Sequence, residues 1–183
     1  MKTLIFNGSP RENGCSSYLV NRLGARLQGE VRVIKVYGVK VAPCNDCRYC
    51  WKHIGCCIED DMQQIYSYIC ESDHIVIASP IHFSELTGVL LSVLSRLQMF
   101  YSAKNFLKTD LLPMQKKGAV ILCGGGSGGA QKAEDTAKLL LRSMSAVHNA
   151  TIMSLHTDMV SSQDDERAKS AVDELAVKWN WQA

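Results

Sequence analysis

The chain has 183 residues, 46% of them hydrophobic, which suits one domain with a sizeable core; such a domain buries roughly 70% of the surface its unfolded chain exposes. Its 20 basic and 18 acidic residues nearly balance, at a formal net charge of +2, and no basic tract interleaved with aromatics stands out. That argues against a nucleic-acid or polyanion binder, and no stretch reads as a signal peptide or approaches the ~20 apolar residues of a membrane span, so the expectation is a cytoplasmic protein acting on small molecules.

The first predicted strand, Lys2–Phe6, is short and apolar, and apolar spacing resumes only at Tyr18, Leu19, Leu23 and Leu27. Between them runs Asn7-Gly8-Ser9-Pro10-Arg11-Glu12-Asn13-Gly14-Cys15-Ser16-Ser17, a strand-to-helix loop that exposes main-chain N–H groups at a helix N-terminus. Those orphan donors and the helix dipole favour an anion. Ser9, Ser16 and Ser17 add hydroxyls and Arg11 a charge-assisted donor, a set that suits a phosphomonoester. The alternative is a Ser/Asn-rich turn with an ordinary N-cap. The loop lacks the Gly-Lys-Ser/Thr ending of a P-loop and the three-glycine dinucleotide pattern.

A helix over Ser16–Gln28 and a strand over Val31–Tyr37 come next, followed by a cysteine-rich insertion at about 43–60. Six of the eight cysteines fall between Cys44 and Cys70, and Cys44, Cys47, Cys50 and Cys56 are spaced C-x2-C-x2-C-x5-C. Two-residue gaps let thiolates converge from one tight loop, with Cys56 closing the site, so the motif fits a [4Fe-4S] cluster. Zinc also takes four thiolates, and free thiols packing a loop or subunit contact are the third reading; a disulfide framework does not suit a cytosolic chain. Cys57 is a neighbouring spare, Cys15 is placed to sense oxidation, and Cys70 and Cys123 read as buried core thiols. The acidic pair Asp60-Asp61 before a helix over 61–71 reads as an N-cap with favourable dipole placement.

A third strand, His74–Ser79, leads into Pro80-Ile81-His82-Phe83-Ser84, where Pro80 fixes a turn and Ile81 and Phe83 offer apolar surface. His82 alone reads as a surface or core histidine more readily than as a proton donor. A helix over Leu86–Ala103 and a strand over Ala119–Cys123 precede the run Gly124-Gly125-Gly126-Ser127-Gly128-Gly129, which lets main chain approach a flat ring closely. A stiff turn and a flexible linker are the plain alternatives for these two loops. A helix over Ala130–His148, a strand over Thr151–Leu155 and a helix over Gln163–Trp179 complete the chain. Met99, Phe100 and Tyr101 suit either the core or a subunit contact, and Trp179-Asn180-Trp181 either caps the core or reaches a partner.

Short apolar strands alternating with helices imply a parallel sheet covered on both faces. The expected fold is a flavodoxin-like α/β three-layer sandwich of order 2-1-3-4-5, with a ligand beyond the carboxyl ends of strands 1 and 3 where the winding reverses.

Taken together, Gly8-Ser9-Pro10-Arg11 through Ser17, the four cysteines running into Asp60-Asp61-Met62, Ser79-Pro80-Ile81-His82-Phe83, and Arg96 resemble the NADPH-dependent FMN reductase family, in particular its branch containing the iron-sulfur flavoproteins. The resemblance implies a single FMN-binding domain over 1–183, with Ser9, Arg11, Cys15, Ser16 and Ser17 around the FMN phosphate, Pro80, Ile81, His82 and Phe83 along the isoalloxazine ring, and Gly124, Gly125 and Gly126 at its other edge. It implies Cys44, Cys47, Cys50 and Cys56 as cluster ligands. Cys15 stands where the family commonly has Asn, His82 where it has Tyr, and Leu91 and Ser95 where it often has Lys and Asp. The implied activity is an oxidoreductase carrying electrons from NADH or NADPH through FMN to a quinone, a nitro or azo aromatic, a flavin or oxygen. It needs no side-chain acid–base constellation, and none is evident. The alternatives are an iron-sulfur flavoprotein relaying single electrons between a ferredoxin-like carrier and FMN, and a non-enzymatic carrier or thiol redox sensor. The implied assembly is a homodimer or higher homo-oligomer.

Overall fold

The computed structural model describes residues 1–126 and 129–181. Five parallel strands form one sheet in the order β2-β1-β3-β4-β5, as the alternation predicts. They are β1 (Lys2–Asn7), β2 (Glu30–Lys35), β3 (His74–Pro80), β4 (Lys116–Gly124) and β5 (Ala146–Leu155). The helices are α1 (Cys15–Gly24), α2 (Met62–Glu71), α3 (Gly88–Leu94), α4 (Gln98–Asn105), α5 (Ala130–Ser143) and α6 (Glu166–Asn180). No helix among the described residues is long and apolar enough to cross a membrane.

Side chains alternate across each strand and so feed two cores. Leu4, Phe6, Ile75, Ile77, Val120 and Leu122 pack with α2 to α5 on one face. Ile5, Val76, Ala78, Ala119 and Ile121 pack with α1 and α6 on the other. Trp179 is fully buried and stacks on His74, so the C-terminal tryptophan pair divides: Trp179 caps the core while Trp181 is exposed. Met99 and Phe100 likewise belong to the core, and Tyr101 faces out.

Several features differ from the sequence expectation. The helix expected over Leu86–Ala103 is interrupted by a 3-10 turn at Ser95–Leu97. Ser95 Oγ donates back to Ser92 O and accepts from Cys44 N, the kind of side-chain competition that unsettles a helix. The helix expected over Ala130–His148 stops at Ser143, because Ser145 turns at φ 56° and Ala146 opens β5 against Lys116. Parallel pairing with a central strand outweighs the apolar helical spacing there. Cys70, expected in the core, is exposed at the end of α2, whereas Cys123 is buried as expected.

Candidate functional site

The carboxyl ends of all five strands lie at one end of the sheet, and the loops that leave them are tied together by main-chain bonds. Gly8 N donates to Ala78 O (2.7 Å), Ile81 N to Cys123 O (2.8 Å) and Thr157 N to Gly124 O (3.0 Å). Thr87 Oγ1 donates to Gly8 O at 2.9 Å, and Thr87 N to Ser79 Oγ at 3.1 Å. A Cβ on Gly8 would stand 2.9 Å from Leu90 Cδ2 and 3.2 Å from Ala78 O, so only glycine lets the loop lie this close to β3. The fold thus sets the three predicted segments, Gly8–Ser17, Pro80–Phe83 and Gly124–Gly126, side by side at this end of the sheet.

Within the first loop the hydroxyls divide their work. Ser9 Oγ and Ser17 Oγ both donate to Arg11 O, at 2.9 and 2.8 Å, and Asn7 holds both ends through Ser9 N and Ser17 Oγ. Ser9 and Ser17, read from sequence as ligand donors, here brace the loop. At the start of α1 no side chain caps the helix, and among the described residues the N–H groups of Cys15, Ser16 and Ser17 find no acceptor. Ser16 Oγ is buried and makes no hydrogen bond of good geometry, its polar neighbour being the weak thiol of Cys123. Buried polar groups are rarely left unmade, so three N–H donors and one poorly bonded hydroxyl at a helix N-terminus form a cradle for an anion. Arg11 lies exposed beside it.

Burial acts to raise the Cys15 thiol, but bonds from Ser162 and Thr157 and the charge of Arg11 outweigh it and bring it below its ordinary range. Cys123 behind it is pushed up to about 11 by burial. Thr157 and Ser162, on the loop after β5, carried no sequence signal beyond following a strand's carboxyl end.

After β3 the chain makes a tight turn in which His82 and Glu85 exchange main-chain bonds of 2.9 and 3.0 Å. Phe83 and Ser84 both have positive φ, 52° and 62°, the geometry of a mirror-image hairpin turn, and it leaves Phe83 fully exposed at the tip. His82 is also exposed. A side chain at Gly125 would collide with the Asp158 carboxylate, and one at Gly129 with Ser84, so these glycines admit close main-chain approach. Ser127 and Gly128 of the same run lie outside the described residues.

The cysteine-rich segment is irregular apart from a 3-10 turn at Tyr49–Trp51, with Asp46 and Arg48 at positive φ. Cys44, Cys47, Cys50 and Cys56 line one cavity of about 550 Å³, together with Arg96, Met99, Tyr101 and the stacked pair Trp51–Phe106. The four residues of the motif therefore share a site. Their sulfurs do not form a closed set of ligands among the described residues, and the one close thiol pair is Cys47 with Cys57, at 3.5 Å.

Arg96 secures this segment. Its side chain is 1% exposed, and Nη1 donates to Asp60 Oδ2 at 2.8 Å and Ala42 O at 2.9 Å, while Nη2 reaches Ile58 O at 3.2 Å. Burial works against charge on both partners, yet Arg96 with the N–H groups of Ala42 and Met62 holds the Asp60 carboxyl below the ordinary carboxylate range. The acidic pair is thus only partly the expected cap: Asp60 Oδ1 accepts from Met62 N, whereas Asp61 binds Lys40 N across the segment's neck. Tyr66 Oη donates to Arg96 O at 2.9 Å, fixing the main chain behind the guanidinium.

The sequence pattern of the NADPH-dependent FMN reductase family matches residues 1–158. The chain is 30% identical over 129 residues to an iron-sulfur flavoprotein of Archaeoglobus fulgidus, covering 69% of this chain and 63% of that one. It therefore spans a little under two thirds of that relative's length. Among solved structures it superposes on an NAD(P)H:quinone oxidoreductase of Methanothermobacter marburgensis with TM-score 0.77 at 13% identity, over 98% of this chain and 96% of the other. An FMN-dependent NADH-azoreductase of Bacillus anthracis, solved with FMN, gives TM-score 0.72 at 15% identity over 98% and 100%. At those identities the likeness is one of fold. The match over residues 1–158, carried on a sheet of order 2-1-3-4-5 with an anion cradle at its winding reversal, places the chain in the NADPH-dependent FMN reductase family.

Proposed function

We propose that this chain is an FMN-dependent oxidoreductase that takes electrons from NADH or NADPH and passes them to a small acceptor such as a quinone, a nitro or azo aromatic or a flavin. The observation that carries this reading is the start of α1, where the N–H groups of Cys15, Ser16 and Ser17 face no acceptor among the described residues and the Ser16 hydroxyl makes no hydrogen bond of good geometry. They would hold the FMN phosphate with Arg11, inside a loop that Ser9 and Ser17 keep rigid. The Pro80–Phe83 turn and Gly124–Gly126 would border the ring, with Asp158 behind Gly125. FMN, when bound, supplies the two-electron and one-electron transfer that side chains lack. The chain's part is to anchor the phosphate, present main chain to the ring and keep one edge open to both substrates. We read residues 1–183 as one such domain with a cysteine-rich insertion at about 43–60, working in the cytoplasm as a homodimer or higher homo-oligomer.

The shared cavity favours a second element in the same protein. Four thiols around one space are the donor set of a [4Fe-4S] cluster, and Cys44, Cys47, Cys50 and Cys56 would hold it by drawing inward from the cavity wall. Electrons would then also pass singly, to or from a ferredoxin-like carrier. Purification without oxygen, followed by an ultraviolet–visible spectrum, iron and acid-labile sulfide analysis and FMN titration, tests both. Tight FMN binding with NAD(P)H oxidation supports the reductase, and about four irons per chain adds the cluster. Failure to bind added FMN overturns the central claim.

A further inference from the structure

We infer that Arg96 is a positioning residue for the sulfur-bound group of the cysteine cavity, its Nε–H being the donor that faces a ligand sulfur once the four thiolates close around iron. This rests on reading Cys44, Cys47, Cys50 and Cys56 as cluster ligands.

The guanidinium offers five N–H donors in a fixed fork. The outer nitrogens are engaged by Asp60, Ala42 O and Ile58 O, and the Tyr66 hydroxyl and Cys56 thiol lie near the guanidinium, but Nε is buried and makes no hydrogen bond of good geometry among the described residues. Arg96 also lines the cavity that the four thiols share. A buried donor left unmade is costly, and a side chain already gripping both ends of the cysteine segment has no freedom to turn Nε toward water. Its grip is symmetric about the motif: Ala42 lies two residues before Cys44, and Ile58 two after Cys56. The charge of Arg96 is matched by Asp60 at 2.8 Å, so what it adds to the cavity is a directed hydrogen bond more than a net positive charge. Hydrogen bonds to sulfur are among the factors that set the potential of such a group, because they favour its more negative, reduced form. Lysine could replace the charge opposite Asp60 but has no second nitrogen in the position of Nε.

The full chain, reconstituted anaerobically with ferrous iron and sulfide, is compared with Arg96→Lys. Iron and sulfide content, midpoint potential by redox titration, circular dichroism and FMN content are measured for both. The expected result is equal iron and an unchanged fold, with the midpoint of Arg96→Lys displaced to more negative potential by at least a tenfold change in the reduced-to-oxidised ratio, about 59 mV for one electron. Should Arg96→Lys not fold, the double variant Arg96→Gln with Asp60→Asn, which removes both charges together, is read by the same criterion. Equal potentials with full iron would overturn the role of Arg96 while leaving the cluster reading intact. If the unmutated chain takes up no iron, the cluster reading fails and the inference with it, whereas the FMN titration stands apart from both outcomes.

Discussion

The loop after β1 closes on itself between Gly8 and Gly14, whereas the segment after β2 wanders from Val36 to Asp61 with only two 3-10 turns. In the first, the side-chain braces between Asn7 and Ser17 are mostly local: Asn7, Ser9, Arg11 and Ser17 bond to one another, while Gly8 is held by Ala78 and Thr87. In the second, the braces come from distant elements, Arg96 above all, with Ser95 on Cys44 N and Gln63 on the carbonyls of Cys56 and Ile58. The short loop therefore presents its set of donors largely from within its own stretch of chain. The long segment gathers its thiols around a cavity through contacts from the helices, with the buried Arg96–Asp60 pair drawing its two ends together. A site built from main chain at a helix start tolerates side-chain change, while a site built from side chains on an irregular segment depends on its anchor.

Removing that anchor is the strongest way to break the contrast. Asp60→Ala leaves a buried guanidinium unpaired and two N–H groups without their acceptor, so we expect a loss of about 3 kcal/mol or more in urea unfolding. Asp61→Ala, whose carboxylate meets one N–H at an exposed position, should stay within about 1 kcal/mol. If the two variants were equally stable, the segment would not hang on Arg96.

The pH axis separates this segment from the core. Burial, aided by Lys117, pushes the His74 imidazole down to about 4, against about 6.5 in an unfolded chain. The unfolded state binds the extra proton in that window, so the stability is whole above pH 6.5 and is lost as pH falls toward 4, by about 3 kcal/mol at most. His74→Phe should flatten that slope in pH-dependent urea melts. The Asp60 contribution has the same sign but a lower window: with its carboxyl depressed in the folded chain, its stabilisation is whole above the ordinary carboxylate range and is lost as pH falls through that range toward the depressed value. A slope between pH 6.5 and 4 that survived in His74→Phe would mean that another group carries it.

Smaller effects are expected in the loop after β1. Gly8→Ala forces a methyl against Leu90 and Ala78 O and should cost about 1–3 kcal/mol, visible in the thermal midpoint. Ser16→Ala removes a hydroxyl that makes no hydrogen bond of good geometry, so the protein without FMN should be as stable as before or slightly more so. Its FMN dissociation constant should rise about tenfold, the worth of one hydrogen bond to a charged group. Unchanged FMN affinity would place the phosphate elsewhere.

The alternation of apolar runs with helical spacing fixed the sheet order in advance, because a parallel βα chain has few right-handed ways to wind. The strand, small-residue loop and helix start that follow one another from Leu4 to Ser17 are likewise legible in one short stretch. The cysteine spacing named the four side chains that line the cavity. Tertiary structure decided the rest. The roles of Ser9 and Ser17 changed because the Arg11 carbonyl lies within their reach only in the folded loop. The helix after β3 broke at Ser95–Leu97, where a serine competes for main-chain bonds and an arginine is drawn inward to an aspartate 36 residues away. That Cys47 meets Cys57, and that Asp60 is the anchor of the segment more than the cap of α2, are likewise contacts between parts of the chain whose local sequences carry no record of each other. Periodicity and helix starts are short-range properties and survive in the one-dimensional chain. Which buried donor finds which acceptor depends on how the elements pack, and at Arg96 Nε the packing leaves that bond to be completed.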